Sequence, residues 1–132
     1  MTMTLSILKP CLLNAVNKLR SDSHLIIFQN DERLDRAAKK HAEWMYKNRI
    51  LSYDEGFWGI GLFERCFIEG FDCKFAVENV GAGLNTDCIL EGWMSNRLER
   101  SNLLGKFEFG GAAIIENYYS LVLANAWQNI NL

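Results

Sequence analysis

One stretch of the chain, residues 78–104, constrains the fold more than any other part of the sequence. An apolar run ends at Glu78 and Asn79, and a Gly-Ala-Gly turn follows at residues 81–83, where glycine accepts positive φ at little steric cost. A capping residue then precedes apolar side chains that recur at helical spacing over residues 85–98. The stretch therefore predicts a strand, a tight turn and an amphipathic helix in direct succession.

Length and composition predict a single folded domain over residues 1–132. A chain of this size buries roughly two-thirds of its unfolded surface, and 49% of the residues are apolar, which favours a well-filled interior. The 14 basic and 16 acidic residues are interspersed, so we expect neither nucleic acid nor an anionic membrane as a partner. No apolar stretch approaches the ~20 residues that span a bilayer, and we expect no membrane span.

Hydrophobic periodicity predicts helices and strands along the whole chain. The helices are expected over residues 5–20, with a start near Pro10, and over residues 32–47, 60–69 and 85–98. Extended segments are expected over residues 25–28, 74–80, 107–115 and 118–126, the last two joined by a turn at Glu116 and Asn117. Helices and strands that do not alternate regularly indicate an α+β fold and not a doubly wound sheet.

Three stretches resemble one known family. Residues 78–104, ENVGAGLNTDCILEGWMSNRLERSNLL, resemble the GEN(I/V)-x-x-G and GWM-x-S-x-x-HR-x-N-(I/L)-L signature of the CAP superfamily, the cysteine-rich secretory, antigen 5 and pathogenesis-related 1 proteins, and especially its small bacterial branch. Residues 34–53 resemble the second CAP helix and its exit, and residues 65–71 resemble the D-R-x-x-x-x-G-Y element. The resemblance covers residues 12–126 and implies an α-β-α sandwich, a small, mostly antiparallel sheet between about four helices.

The resemblance also implies a site from which the metal ligands have been lost. In the family, two histidines and one or two glutamates ring a cavity, a set that suits zinc. The matching positions here are Tyr53 and Glu99 for the two histidines and Glu78 for a glutamate. A protonated tyrosine is a poor zinc ligand, and two carboxylates better suit a hard ion held through water. We therefore expect no zinc, no other cofactor and no metal ligands.

The two glutamates have a chemical and a structural interpretation. Side by side, Glu78 and Glu99 would share a proton and act as general acid or base. Alternatively, Glu78 accepts backbone N–H bonds and fixes the loop that lines the cleft, and Asn79 has the same structural interpretation. Glu99 stands between Arg97 and Arg100, where a solvated local ion pair is the ordinary explanation. We favour the structural interpretation and name neither glutamate as an assured catalyst.

Aromatic residues and histidines complete the set of candidates. Tyr53 is predicted to line the cavity wall, and Trp58, in a glycine-flanked loop, to lie at the cleft rim as part of an exposed apolar patch. His41 lies on the apolar face of its predicted helix and is expected to be a hydrogen-bonded core residue, whereas His24 is expected to be exposed. No nucleophile elbow accompanies either histidine, so a serine or cysteine triad is not predicted.

The four cysteines and the start of the chain bear on location. The cysteines lack the paired spacing of a metal site, and the first residues lack the basic region of a secretory signal. We therefore expect a cytoplasmic chain with buried free thiols. If the sequence is a processed form, an extracellular location and disulfides are expected instead. The cysteines concerned are Cys11, Cys66, Cys73 and Cys88.

Three functions are compatible with these features. The first is a non-catalytic CAP-like module that binds a protein, a peptide or an apolar small molecule at the cleft, as family members are reported to do with lipids. The second is a hydrolase that uses Glu78 and Glu99 as a carboxylate pair. The third is a structural or virion-associated scaffold protein. We favour the first, because the cleft is expected to remain while its histidines do not.

Overall fold

The structure is a computed structural model that describes residues 11–56 and 59–127. The predicted helix start near Pro10 and the predicted rim residue Trp58 lie outside the described residues. The helices, numbered in chain order, are α1 (Leu12–Asp22), α2 (Glu32–Asn48), α3 (Leu62–Ile68), α4 (Thr86–Ser95) and α5 (Arg97–Leu103). The strands are β1 (Gln29–Asn30), β2 (Cys73–Ala82), β3 (Phe109–Ile115) and β4 (Tyr118–Ala126).

The four strands form one mixed sheet in the order β1-β3-β4-β2. β4 pairs antiparallel with both β2 and β3, whereas the two-residue β1 pairs parallel with the start of β3. The chain turns between β3 and β4 at Glu116, which has a φ of 54°, and Asn117. The predicted α+β fold with a mostly antiparallel sheet is confirmed.

Helices cover both faces of this sheet. α2 and α3 pack on one face, around a buried cluster that includes Leu34 and Val122. α1, α4 and α5 pack on the other face, around Trp93 and Leu121. The arrangement confirms the predicted α-β-α sandwich, with five helices in the described part of the chain where about four were expected.

α2 lies almost directly on β3. A Cβ atom at Gly111 would lie 2.3 Å from both the backbone nitrogen of Asp35 and the carbonyl carbon of Leu34. Glycine is required here because any side chain would push the helix away from the strand. The Asp35 carboxylate also accepts the Ala112 N–H at 2.9 Å. This contact fixes the buried face of α2, which carries His41.

The single helix predicted over residues 85–98 is wrong in extent, because the structure divides the stretch into α4 and α5. Asn96 lies between them with an extended backbone (φ −101°, ψ 128°), and its side chain accepts the N–H groups of Leu98 at 3.1 Å and Glu99 at 3.0 Å. An asparagine that caps a new helix also ends the preceding one. The N-terminus of α5 therefore lies two residues before Glu99, at Arg97.

The extended segment predicted over residues 25–28 does not join the sheet, which begins only with β1. Side chains of α1 bind its backbone instead. Asn17 exchanges hydrogen bonds of 2.8 and 2.9 Å with the N–H and C=O of Phe28, and the Arg20 Nε donates to the Ile26 carbonyl at 2.8 Å. These bonds take the place of a strand ladder.

α3 does not bury the face that its phenylalanine spacing predicts. Phe63 and Phe67 are 51% and 66% exposed, and only Phe71, beyond the helix end, is buried. The buried positions of the helix are Arg65 and Cys66. α3 therefore directs a charged side chain into the interior and leaves two aromatic rings in solvent.

Candidate functional site

Glu78 lies in β2 with its side chain buried against Arg65 of α3. The ion pair is bidentate, with 2.8 Å from Nη2 to Oε1 and 3.2 Å from Nη1 to Oε2, and the two side chains are 3% and 2% exposed. The hydroxyl of Ser120 in β4 donates to Oε2 at 2.8 Å. Both carboxylate oxygens are therefore occupied by donors inside the protein.

The donors to Glu78 are side chains, not the backbone N–H groups that we predicted. The backbone of β2 is engaged in pairing with β4, and the carboxylate reaches across to a helix and to a neighbouring strand. Sequence analysis singled out Arg65 only through the family resemblance and missed Ser120. No local pattern reveals these partners, because they lie 13 and 42 residues from Glu78.

Arg65 also approaches a second acidic side chain, that of Glu55. Its Nη1 also donates to the Ala37 carbonyl at 3.2 Å. Its Nε lies 3.7 Å from the Oε2 of Glu55 and makes no hydrogen bond to any residue that the structure describes. A guanidinium placed between two carboxylates neutralises charge that would otherwise be costly to bury.

His41 connects Glu55 to α2 through a doubly hydrogen-bonded imidazole. Its Nδ1 lies 2.8 Å from the Glu55 carboxylate and its Nε2 lies 2.6 Å from the Ser52 carbonyl. Both ring nitrogens are therefore engaged inside the protein. The prediction of a satisfied core histidine is confirmed. The pair also fastens the loop that carries Tyr53 to α2.

Asn79 points away from Glu78 and fixes α5. Its side-chain amide donates to the Glu99 carbonyl at 3.0 Å and accepts from the Asn102 amide at 2.8 Å, and the residue is only 1% exposed. Adjacent strand residues face opposite sides of a sheet, so the Glu-Asn pair binds a helix on each side.

Glu99 itself is half-buried at the start of α5. Burial raises the pKa of its carboxyl group. The ion pair predicted with Arg97 or Arg100 is wrong: within the described ranges Glu99 pairs with neither. The Arg100 guanidinium instead reaches the Met94 carbonyl at 3.4 Å, because Asn96 has reset the helix that carries it.

Tyr53 is within electrostatic range of both glutamates. Burial raises the pKa of its hydroxyl most, and the negative charges of Glu99 and Glu78 raise it further. The ring is nevertheless 52% exposed. Tyr53 and Glu99 are thus partly open to solvent, whereas Glu78 is buried.

These residues do not fit the zinc that the family's cavity takes. Glu78 already accepts hydrogen bonds on both oxygens, and the raised pKa of Tyr53 keeps its oxygen protonated at neutral pH. Among residues 11–56 and 59–127, no group of three or more His, Cys, Asp or Glu side chains is arranged to hold a metal ion.

Within residues 11–56 and 59–127, no helix combines the length and apolar character needed to cross a membrane.

Comparison with known proteins agrees with the fold. Three solved structures are similar: an extracellular protein containing an SCP domain from Bacillus anthracis str. Ames (TM-score 0.79, 24% identity), an outer surface protein from Borrelia burgdorferi (0.77, 16%) and a cysteine-rich secretory protein from Staphylococcus aureus subsp. aureus Mu50 (0.70, 20%). The alignments cover 86%, 88% and 86% of this chain, and 38%, 90% and 36% of those chains, respectively. At these identities the similarity shows the fold alone.

The sequence comparison extends over nearly the whole chain. No curated protein sequence is significantly similar to it. Residues 13–127, however, match the family model described as the cysteine-rich secretory protein family, CAP. The chain therefore belongs to the cysteine-rich secretory protein (CAP) family.

Proposed function

We propose that this chain is a CAP binding module without the metal site of its family. It holds a protein, a peptide or an apolar small molecule on a surface formed by Ile50, Leu51, Tyr53 and Glu99, called the Tyr53 surface below. The side chains of Ile50, Leu51 and Tyr53 are 48%, 53% and 52% exposed. Exposed apolar residues close together in the chain, combined with a half-buried carboxyl group, are typical of recognition surfaces.

The hydrogen bonding of the Glu78 carboxylate is the observation that supports this proposal. A glutamate that ligates a metal or transfers a proton needs a free oxygen. Both oxygens of Glu78 are bound by Arg65 and Ser120 in the interior. The glutamate of the family signature is therefore committed to holding α3 on the sheet, and the open groups around it are left for binding.

Selection of peptides tests the proposal. A random peptide library displayed on phage is panned against the immobilised chain, and the dissociation constant of an enriched peptide is measured by fluorescence polarisation. Oleate serves as the apolar small-molecule probe in a parallel titration. We expect Tyr53→Ala to weaken binding about tenfold or more, because truncated aromatic anchors commonly cost at least 1–2 kcal/mol.

The matched control is Ile26→Ala. Ile26 is 87% exposed and lies outside the Tyr53 surface, so its truncation is expected to leave the affinity unchanged within about twofold. Peptides and oleate that bind the Tyr53→Ala variant as tightly as the wild type would place the ligand elsewhere and contradict the proposal.

A carboxylate-pair hydrolase is the second candidate, favoured by the raised pKa of Glu99. A carboxyl group with a raised pKa is suited to act as general acid. The candidate lacks a free partner, since Glu78 is held by Arg65. Turnover of p-nitrophenyl glycosides that is lost in both Glu99→Gln and Glu78→Gln would favour the hydrolase over the binding module.

The structural neighbours bear on the location of the chain. The three structural neighbours are described as an extracellular, an outer surface and a secretory protein. These descriptions favour an exported chain over the cytoplasmic location that we predicted. The absence of a nucleic-acid partner rests on the balanced charge and stays a prediction, as does the scaffold function.

A further inference from the structure

Cys66 and Cys73 form a buried thiol pair where α3 meets β2. Cys66 is fully buried and Cys73 is 7% exposed, and both belong to the apolar cluster beneath α2. The other two cysteines, Cys11 and Cys88, are exposed and unpaired, so the prediction of buried thiols is wrong for them. The chain thus has one juxtaposed pair and two cysteines that serve as internal controls.

The backbone between the two cysteines holds them together. The N–H of Phe71 donates to the carbonyl of Cys66 at 2.9 Å, and the Sγ of Cys73 lies 3.9 Å from the carbonyl oxygen of Phe71. Gly70 permits the tight return with a φ of 98°. A short, hydrogen-bonded turn therefore folds the start of β2 back under the end of α3 and places both cysteines in one buried cluster.

The two thiols are not equivalent. The interaction between the two thiols lowers the pKa of Cys73 and raises the pKa of Cys66, which burial raises further. Cys73 also borders a surface cavity of about 460 Å³, lined further by Phe63, Glu64, Phe67, Ile68 and Asp72. Cys73 is thus the thiol that a small molecule reaches and the one that more readily becomes a nucleophilic thiolate.

We propose that Cys66 and Cys73 form a reversible disulfide by exchange with a low-molecular-weight disulfide that enters this cavity. The Cys73 thiolate attacks one sulfur of the small disulfide, which forms a mixed disulfide and releases one thiolate. Cys66 then gives up its proton and attacks the Sγ of Cys73, which releases the second thiol. The protein dithiol is oxidised by two electrons, and one small disulfide is reduced to two thiols.

The disulfide acts on the ion pair described above. Cys66 follows Arg65 in α3, and Cys73 begins β2, the strand that carries Glu78. A covalent bond between the two elements restricts their separation and so holds Arg65 against Glu78. The oxidised form is therefore the more rigid and more stable form of this part of the molecule.

A thiol count at controlled redox potential tests the proposal. The background variant Cys11→Ser/Cys88→Ser is equilibrated with glutathione and glutathione disulfide at several ratios, quenched with acid, alkylated with N-ethylmaleimide and weighed intact. We expect two adducts at reducing ratios and none at oxidising ratios. The melting temperature of the oxidised form should be higher by about 5–10 °C, as expected for a short closed loop.

Further variants test whether the disulfide forms between Cys66 and Cys73. Adding Cys66→Ala or Cys73→Ala to the background should abolish the intramolecular disulfide and the gain in melting temperature. If the folded background chain keeps both thiols at every ratio, it is unfolded and refolded at the most oxidising ratio. A disulfide that appears only then means that access, not geometry, limits exchange and overturns the proposed entry route. Two adducts after refolding, or glutathione attached without ring closure, overturn the pairing itself.

Discussion

Two adjacent residues of β2 hold the two sides of the molecule in different ways. Glu78 reaches α3 through a buried charged pair, with donors at 2.8 and 3.2 Å. Asn79 reaches α5 through neutral amide bonds of 3.0 and 2.8 Å. Removing one member of the charged pair leaves an uncompensated charge, whereas removing the amide leaves only unsatisfied dipoles. The comparison indicates that the Glu-Asn signature is first a structural clamp, with unequal strength on its two sides.

The largest loss of stability is expected when the ion pair between Arg65 and Glu78 is broken. Arg65→Ala should lower the free energy of unfolding by about 3–5 kcal/mol at neutral pH, because Glu78 is then buried without a counter-ion. Urea denaturation followed by circular dichroism measures the change. Lys18→Ala, which breaks the exposed pair with Asp22, is the control and should change stability by less than about 1 kcal/mol.

A smaller effect is expected on the amide side. Asn79→Ala leaves the Glu99 carbonyl and the Asn102 amide without their partner, which should cost about 1–3 kcal/mol. Hydrogen exchange should localise the change to α5 and leave α3 protected. Equal loss of protection in both helices would mean that the two sides are not independent.

The smallest effect concerns the carboxyl group of Glu99, whose pKa burial raises. The folded chain holds this proton more tightly than the unfolded chain, so its stabilising contribution is complete below the ordinary pKa and is lost as pH rises through the folded pKa. Glu99→Gln should therefore be slightly more stable than the wild type near pH 7, by a few tenths of a kcal/mol after solvent screening. The two proteins should unfold alike near pH 3.5. A variant that is less stable at neutral pH would reverse the sign of the burial effect.

Hydrophobic periodicity predicted the helices and strands of this fold better than their connections, and the layers followed only from the family resemblance. β3, β4 and the core of α2 follow hydrophobic periodicity, which one chain reveals on its own. The break between α4 and α5 depends on a single capping side chain, Asn96, which competes with a continuous helical pattern. The extended segment before β1 does not pair with the sheet, because Asn17 and Arg20 bind its backbone. These hydrogen bonds depend on tertiary contacts, which a local pattern does not show.

The resemblance supplied candidate positions but not the partners that bind them. It identified Tyr53, Glu78 and Glu99, and burial together with the charges of both glutamates raises the pKa of Tyr53. It did not predict Glu55, whose loop has no periodicity, or Ser120, which approaches Glu78 only because of the register between β2 and β4. Partners that are distant in sequence decide whether a carboxylate is available for chemistry, and a local motif does not record them.

Calorimetric titration with zinc tests most directly the claim that Tyr53, Glu78 and Glu99 do not form a metal site. The wild-type chain is predicted to bind no stoichiometric zinc, and Tyr53→His/Glu99→His, which restores both imidazoles, is the positive control and should gain measurable affinity. One zinc ion bound to the wild type at micromolar affinity, and lost in Glu78→Ala/Glu99→Ala, would contradict the account.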